Sequence, residues 1–280
     1  MERKLGMAGF EFREQPLETI FQKARDMGFS SMEFGAETIM DAGIPNVKEY
    51  IDKYGIILTA IGVGFWNKIS DDEVPQLQET FLSAIDTAQQ LNIPHVFTYF
   101  GGNKKHDYKK GIDLFTKRIE PCLKEAINKN VIILVENHFS PEQNEATADA
   151  KTCLEFLESI NSNNFKLNFD PANFYVAGEE AYPYAYEKLK EHIRTIHLKD
   201  VIKFDSEFYG KYDGRILVDV NYGEFICVAM GEGGMNFEGL ISALIRDKFS
   251  GPMTIELHVP HDEREIALKK GYDYCEKFGW

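Results

Sequence analysis

Short apolar segments of strand character alternate with amphipathic helical segments along the whole chain, and this alternation is the strongest constraint on the fold. Apolar spacing predicts eight strands, at 4–10, 30–34, 56–63, 95–102, 131–138, 165–170, 193–200 and 252–258. Helical spacing predicts the intervening helices, at about 16–29, 47–54, 72–91, 108–128, 148–160, 184–192, 236–249 and 263–278. Eight such units in 280 residues predict one α/β domain over 1–280, a (β/α)₈ TIM barrel.

A doubly wound open sheet is the alternative fold. It would place a Gly-x-Gly-x-x-Gly turn after the first strand to hold a dinucleotide, and this chain has none there. One connection, residues 201–234, is too long for an ordinary loop of a barrel. Its sequence predicts a small hairpin insertion over the barrel mouth, turning at Asn221-Tyr222-Gly223.

The charge composition bears on the partners. The chain carries 45 acidic and 31 basic side chains, a formal charge of -14, and no long run of Lys or Arg. A phosphate backbone needs a basic footprint, so we expect no nucleic-acid partner. No stretch has the length and apolarity of a membrane span, so we expect no membrane partner. A small molecule is the expected partner, and a homo-oligomer is left open.

The cysteines and the N-terminus indicate a compartment. The four cysteines are far apart and form no Cys-x-x-Cys pair, which favours reduced, mostly buried thiols. They are Cys122, Cys153, Cys227 and Cys275. The first residues contain no long apolar region of a secretory signal. We therefore expect a soluble, cytoplasmic protein.

Four predicted strands end in side chains that bind metals or transfer protons. These strand ends are LVENH at 134–138, LNFD at 167–170, TIHLKD at 195–200 and TIELH at 254–258. Pro171 stops ladder pairing directly after Asp170. The strands of a parallel barrel open their C-terminal ends at one mouth, and side chains alternate across each strand. Four side chains should therefore converge there: Glu136, Asp170, His197 and Glu256.

Three carboxylates crowded into a dry barrel mouth would repel one another and take up protons. A divalent cation removes this conflict because it favours the ionised carboxylates. Three oxygen ligands and one imidazole, without a thiolate, favour Mn²⁺, Mg²⁺ or Co²⁺, and Zn²⁺ also fits. We therefore predict one divalent metal ion, with its identity open.

The same strand ends resemble a known family. The segments ENH, FDPAN, HLKD, the following GEG and IELH are similar to those of the sugar isomerase/epimerase superfamily with a xylose isomerase-like TIM barrel. The resemblance spans nearly the whole chain and is strongest from 131 to 258. It implies a metal held by the four residues above, with Glu136 and Glu256 doubling as the acid/base pair.

The combination of HxKD and GEG is similar to the pentulose 5-phosphate 3-epimerase branch, which implies a small ketose or ketose phosphate as substrate. Many members of the superfamily carry a histidine three residues after the aspartate of strand six, where this chain has Asn173. An amide can hydrogen-bond a substrate, but it does not titrate near neutral pH.

Six further residues are candidate substrate contacts. Lys199 shares a strand face with His197 and would hold an anionic oxygen, while His138 and His258 each follow a ligand by two residues. Phe65 and Trp66 would form an apolar wall, with a plain core position as the alternative. Glu232 lies in a Gly-rich turn before a helix, where either an anion site or a tight turn is expected. The substrate-contact set is His138, Asn173, Lys199, Trp66, His258 and Glu232.

The metal site and its two glutamates predict a sugar isomerase or epimerase. In such an enzyme a proton is removed next to a carbonyl, with Glu136 and Glu256 on opposite faces of the substrate. A dehydratase of a keto-polyol shares this first step and is the alternative. An abasic-site endonuclease is disfavoured by the acidic charge and by the missing D-x-H pair after HLKD. A non-catalytic sugar-binding protein is the last alternative.

Overall fold

A computed structural model describes residues 5–210 and 212–280. The first described element is strand β1, and Lys4, predicted as the first residue of that strand, lies outside the described ranges. The strands in those ranges are β1 (Leu5–Ala8), β2 (Ser31–Gly35), β3 (Ile57–Phe65), β4 (His95–Tyr99), β5 (Ile132–Glu136), β6 (Phe165–Phe169), β7 (Ile193–Leu198), β8 (Asp200–Lys203), β9 (Ile216–Asp219), β10 (Gly223–Val228) and β11 (Met253–Ile255).

Eight of these strands close into a parallel barrel in the order β1-β11-β7-β6-β5-β4-β3-β2. Pairing of Leu5 with Met253 seals the barrel between its first and last strands. The register places Glu136 beside Asn168 and His197 beside Thr254. The predicted TIM barrel is therefore confirmed, and its polar strand ends lie at similar heights.

The helices alternate with the barrel strands and cover the outside of the barrel. Aspartates cap several of them: Asp107 accepts a hydrogen bond from the Lys110 N-H, and Asp149 accepts from the Lys151 N-H. The helices are α1 (Leu17–Asp26), α2 (Ala36–Ala42), α3 (Ile44–Tyr54), α4 (Val74–Leu91), α5 (Tyr108–Asn128), α6 (Ala150–Ile160), α7 (Pro171–Val176), α8 (Tyr186–Leu189), α9 (Ser206–Tyr209), α10 (Phe237–Arg246) and α11 (Arg264–Lys277).

The observed element boundaries differ from the predicted ones most clearly at the mouth of the barrel. The predicted strand 165–170 ends at Phe169, and Asp170 instead caps the short helix α7, with Pro171 as its first residue. Proline lacks an N-H and suits the first turn of a helix, so the same residue that ends the strand begins a helix. The predicted helix 184–192 is shorter, because α8 ends at Leu189.

The insertion after β7 forms a small antiparallel sheet of order β8-β10-β9. Its hairpin pairs Gly223 with Asp219, which confirms the predicted turn around Asn221-Tyr222-Gly223. The sequence did not predict that Asp200–Lys203 would join as a third strand. The hairpin is anchored to the barrel because the Ser140 N-H donates to the Asp219 carboxylate at 2.8 Å.

The core lies between the barrel and its helices, with a second small apolar cluster inside the barrel. Ala60, Phe97 and Leu134 form this inner cluster and give the polar mouth an apolar floor. All four cysteines are free and buried, as predicted. No helix in the described ranges combines the length and apolar character that crossing a bilayer requires.

Candidate metal centre and active site

Four predicted ligands meet at the C-terminal mouth of the barrel. Glu136, Asp170, His197 and Glu256 are each at most 4% exposed. One ligand atom from each lies within 4.8 Å of the others. β5, β6, β7 and β11 are neighbours in the barrel, so one arc of the wall supplies the whole cluster.

Asp170 is held in place through its backbone by Asn137. The Asn137 side chain donates to the Asp170 carbonyl at 2.8 Å and accepts from the Asp170 N-H at 2.8 Å. One Asp170 oxygen, Oδ1, caps α7 by accepting from the Asn173 N-H at 3.0 Å. The other oxygen, Oδ2, is left facing the cluster.

His197 sits between carboxylates from opposite sides of the barrel. Its Nε2 lies 2.7 Å from Glu33 Oε1, while its Nδ1 lies 3.3 Å from Glu136 Oε2 and 3.4 Å from Glu256 Oε2. Phe97 packs edge-on beneath the ring at a centroid distance of 5.8 Å. Burial alone would lower the pKa of His197, but the Glu33 and Glu136 carboxylates outweigh it and raise that pKa well above its usual value.

Lys199 bridges two of the ligand carboxylates. Its buried Nζ lies 2.8 Å from Asp170 Oδ2 and 3.0 Å from Glu256 Oε2. Burial opposes the ammonium charge, but these two carboxylates raise the pKa of Lys199, so it is charged. Burial likewise raises the pKa of Asp170, to about 6, against the opposing effect of Lys199. Lys199 outweighs burial at Glu256 and holds the pKa of that carboxyl well below its usual range.

The cluster fits a divalent cation. Buried polar atoms normally have hydrogen-bond partners, yet His197 Nδ1 makes no hydrogen bond within the described residues, and Asp170 Oδ2 has only its ion pair with Lys199. Both atoms belong to the four-residue cluster. Three carboxylates and one imidazole nitrogen form a ligand set for Mn²⁺, Mg²⁺, Co²⁺ or Zn²⁺.

Three further predicted residues line the cluster. Asn173 donates to Glu136 Oε1 at 3.1 Å, and its own Oδ1 is buried without a hydrogen-bond partner in the described ranges. His138 packs edge-on against Tyr99, and burial lowers its pKa to about 3, so its ring is neutral. His258 Nε2 lies 2.9 Å from Glu256 Oε1. The backbone of His258 has φ 58°, a left-handed conformation that a side chain disfavours.

Two predicted substrate contacts are not brought to the site. Trp66 is fully buried outside the barrel, with its ring 5.5 Å from Phe81 of α4. Its neighbour Phe65 faces the mouth instead, because the β3–β4 register shifts between Gly62 and Phe65. Glu232 is half exposed and pairs with Lys270 at 2.6 Å, away from the cluster.

The Gly-rich turn around Glu232 does not present free N-H groups to an anion. Asp200 fills this place: its Oδ2 accepts from the Gly231 N-H at 2.9 Å and from the Gly233 N-H at 3.0 Å. The turn therefore has the structural role that the sequence offered as its second explanation.

Several site residues were missed by the sequence reasoning. Glu33 lies inside the predicted strand 30–34 rather than at its end, so the pattern of polar strand ends does not include it. Its signal in the sequence is a single acidic residue within an apolar strand. Asn168 lies two residues before Asp170 and donates to Glu136 Oε2 at 3.2 Å. Arg215 reaches the mouth from the insertion, and nothing in local spacing indicated this.

The barrel and its buried cluster define a (β/α)₈ protein with a candidate metal centre at the C-terminal strand ends. The model of the xylose isomerase-like TIM barrel family matches residues 21–278, and the chain belongs to this family. No curated protein matches the chain in a sequence comparison.

Solved structures with the same fold cover nearly the whole chain. The probable 3-DHS dehydratase AsbF of Bacillus anthracis is 17% identical, with a TM-score of 0.76 over 98% of this chain and 99% of its own. A D-tagatose 3-epimerase-like protein is 18% identical, with a TM-score of 0.77 over 98% and 96%. The IOLI protein, solved with a bound zinc atom, is 18% identical, with a TM-score of 0.76 over 98% and 97%. At these identities the likeness concerns the fold.

Proposed function

We propose that the protein is a divalent-metal-dependent sugar isomerase or epimerase that moves a proton next to the carbonyl of a small ketose or ketose phosphate. The observation that carries this proposal is the pair Glu136 and Glu256, which flank one buried cluster from strands separated by β6 and β7. Membership of the family and the epimerases among the similar folds support it.

The ion would be held by Glu136, Asp170, His197 and Glu256. When bound, it supplies a Lewis acid that polarises a carbonyl oxygen and stabilises negative charge developing there. The proton transfers belong to the chain. One glutamate, which must be ionised, removes the proton from the carbon next to the carbonyl. The other, which must start the step protonated, returns its proton from the opposite face, which inverts that carbon, and exchange with solvent restores both carboxyls. Return to the adjacent carbon interconverts ketose and aldose.

The surrounding residues restrict which groups can move protons. His138 is neutral and Tyr99, whose pKa burial raises well above its usual value, keeps its hydroxyl proton. Asn173 cannot titrate and instead fixes Glu136 through a 3.1 Å hydrogen bond. Removal of the proton next to the carbonyl gives an enediolate. Lys199 holds a fixed positive charge beside Glu256, where it would stabilise the negative oxygen of that enediolate.

The alternative reaction is dehydration of a keto-polyol. It begins with the same proton abstraction but ends with loss of a hydroxyl, which takes up a proton and leaves as water beside His258, whose Nε2 lies 2.9 Å from Glu256 Oε1. One of the similar folds is described as a probable dehydratase. The two reactions differ in their product, since only dehydration forms an unsaturated compound.

The test uses Mn²⁺-loaded protein in deuterated water with a panel of ketoses and ketose phosphates. We expect deuterium at the carbon next to the carbonyl in recovered sugar, without an unsaturated product. Glu136→Gln and Glu256→Gln should each abolish exchange, because the amide cannot accept the proton. Glu142→Gln, an exposed glutamate after β5, is the matched control and should retain exchange. Full exchange in both site variants would overturn the assignment.

A further inference from the structure

An open chamber adjoins the candidate metal centre. Its volume is about 530 Å³, and it opens where β2, β3 and the insertion meet the mouth. A smaller inner cavity of about 130 Å³ is lined by Glu136 and Lys199, among other residues. The two spaces share the residues Tyr99, Arg215, Glu256 and His258, so a ligand in the chamber can extend to the reacting carboxylates.

Two exposed arginines, Arg13 and Arg215, line this chamber. Within the described residues, neither Arg13 nor Arg215 lies within ion-pair distance of an acid, whereas Arg264 in the same wall is 3.8 Å from Glu11 and 3.6 Å from Glu14. Arg118 and Arg246 are also paired with carboxylates, whereas Arg25 and Arg194 donate to backbone carbonyls in the described residues. Two cations left open to one cavity therefore form a local positive region.

The acids in the chamber wall do not cancel this charge. Glu11 is buried and engaged, since its Oε1 accepts from the Leu257 N-H at 3.2 Å and from the His258 N-H at 3.1 Å. Glu256 is compensated by Lys199 at 3.0 Å. Asp213 also lines the chamber and is exposed like the two arginines, so it offsets one of their two charges and leaves the other.

Arg215 connects the chamber to the reacting carboxylate. Its Nη1 lies 3.2 Å from His258 Nε2, and that nitrogen lies 2.9 Å from Glu256 Oε1. The guanidinium is thus one imidazole away from the site of proton transfer. Gly35 leaves room on the chamber wall, because a Cβ added there would meet nothing within 4 Å.

These features lead us to infer that the substrate carries an anionic group, a carboxylate or a phosphate, which Arg13 and Arg215 bind in the chamber. This inference rests on the proposed function and narrows its substrate class. A guanidinium offers a planar fork of N-H donors that matches either anion. The arginines also orient the ligand: its anionic end lies toward Arg13 and Arg215, which leaves the carbonyl end at Glu136 and Glu256.

The test measures binding rather than turnover. Titration calorimetry on the Mn²⁺-loaded protein compares D-fructose with D-fructose 6-phosphate and with 5-keto-D-gluconate, which separates phosphate from carboxylate. We expect at least one anionic probe to bind about tenfold or more tightly than fructose. Arg13→Gln and Arg215→Gln should each reduce this advantage, and the double variant should remove it.

Arg25→Gln is the matched control, since Arg25 is exposed, lies outside the chamber and donates only to the Tyr54 and Lys53 carbonyls in the described ranges. It should retain the full anionic advantage. Circular dichroism checks that each variant is folded. Equal or weaker binding of both anionic probes relative to fructose would overturn the inference, as would an anionic advantage that survives in the double variant.

Deuterium exchange on the same probes separates this inference from the proposed function. Exchange of fructose as fast as its anionic counterparts, without tighter anion binding, would refute the chamber's role and retain the proton transfer. An arginine-dependent anionic advantage without exchange in any probe would support the chamber and count against the proposed reaction.

Discussion

At the scale of single residues, Lys199 has the most distinctive position. A buried lysine between two ligand carboxylates supplies positive charge at the same oxygens that a metal would contact. Removing one partner of a buried ion pair is costly because the other charge stays desolvated. The ammonium and an ion at the cluster therefore act on the same carboxylates, Asp170 and Glu256.

We predict that Lys199→Met lowers the unfolding free energy of metal-free protein by about 3–5 kcal/mol. The loss should be smaller with Mn²⁺ bound, because the ion then neutralises the same carboxylates, and by linkage the variant should bind the ion more tightly. Urea titrations with and without Mn²⁺ measure both effects. Lys190→Met, which removes partly exposed ion pairs with Glu187 and Asp247, should cost at most about 1 kcal/mol in either condition. An equal loss from Lys199→Met in both conditions would contradict this account.

Glu145 gives a pH-dependent prediction. Its buried carboxyl accepts from the Gly102 N-H at 2.6 Å and from the Thr147 hydroxyl at 2.7 Å, and burial raises its pKa to about 7. Because the folded pKa exceeds the unfolded one, the stabilising contribution is full below about pH 4.5 and is lost as pH rises through about 7.

Wild type should therefore lose up to roughly 3 kcal/mol relative to Glu145→Gln as the pH rises across that window, since the amide does not ionise. Urea unfolding of both proteins at about pH 5 and about pH 8 checks this. A stability difference that does not change with pH would show that Glu145 ionises normally in the fold.

The predictability of individual site residues followed their geometry. The positions of Glu136, His197 and Glu256 could be predicted, because alternation along a regular strand fixes which side chains point inward. Trp66 was misplaced because the register of β3 shifts just before it, and a shift of one residue exchanges the two faces. Arg215 was missed because its approach depends on how a long insertion folds back over the mouth.

At the scale of elements, the link between β5 and α7 positions the candidate metal centre. Asn137 joins the end of β5 to the Asp170 backbone by two 2.8 Å hydrogen bonds. Asp170 then caps α7 with Oδ1 and turns Oδ2 toward Lys199 and the cluster. Asp170 thus follows a strand end, caps a helix and is a candidate ligand. The position of its carboxylate therefore depends on the two hydrogen bonds with Asn137.

We predict that Asn137→Ala lowers the unfolding free energy by about 2–4 kcal/mol, because it leaves the buried Asp170 N-H and carbonyl without partners. It should also weaken Mn²⁺ binding by about tenfold, as is typical for loss of a group that orients a ligand. Urea titration and metal titration measure the two effects. Asn161→Ala, at the end of α6 and far from the cluster, tests whether the loss of metal binding is specific. Unchanged Mn²⁺ affinity in Asn137→Ala would show that Asp170 is positioned by other contacts.

The elements themselves were largely predictable, and their ends were not. Apolar periodicity located all eight barrel strands, because strands covered on both faces are nearly continuous apolar runs. It could not show that Pro171 starts a helix, since a proline is compatible with the end of a strand and with the first turn of a helix. It also left out β8, a short segment that becomes a strand only by pairing with the hairpin.

At the scale of the whole molecule, metal binding and folding should be coupled. An ion that binds only the folded chain stabilises it by about 2.7 kcal/mol when present at about 100 times its Kd. We predict a corresponding rise in Tm on addition of Mn²⁺, reversed by a chelator. Asp170→Asn should abolish the rise while still capping α7, because asparagine is also a good N-cap.

Asp149→Asn is the matched control, since Asp149 caps α6 in the same manner but is not part of the ligand cluster. It should keep the full rise in Tm. Calorimetric scans of the three proteins with and without Mn²⁺ make the comparison, and an undiminished rise in Asp170→Asn would remove Asp170 from the ligand set.

The bridge formed by Lys199 also bears on the life history of the protein. Because its ammonium pairs with both Asp170 and Glu256 in the absence of a metal, we expect the barrel to fold before an ion binds. A bound ion would then add stability to a barrel that is already folded, and removal of the ion by a chelator should leave a folded protein that can be loaded again.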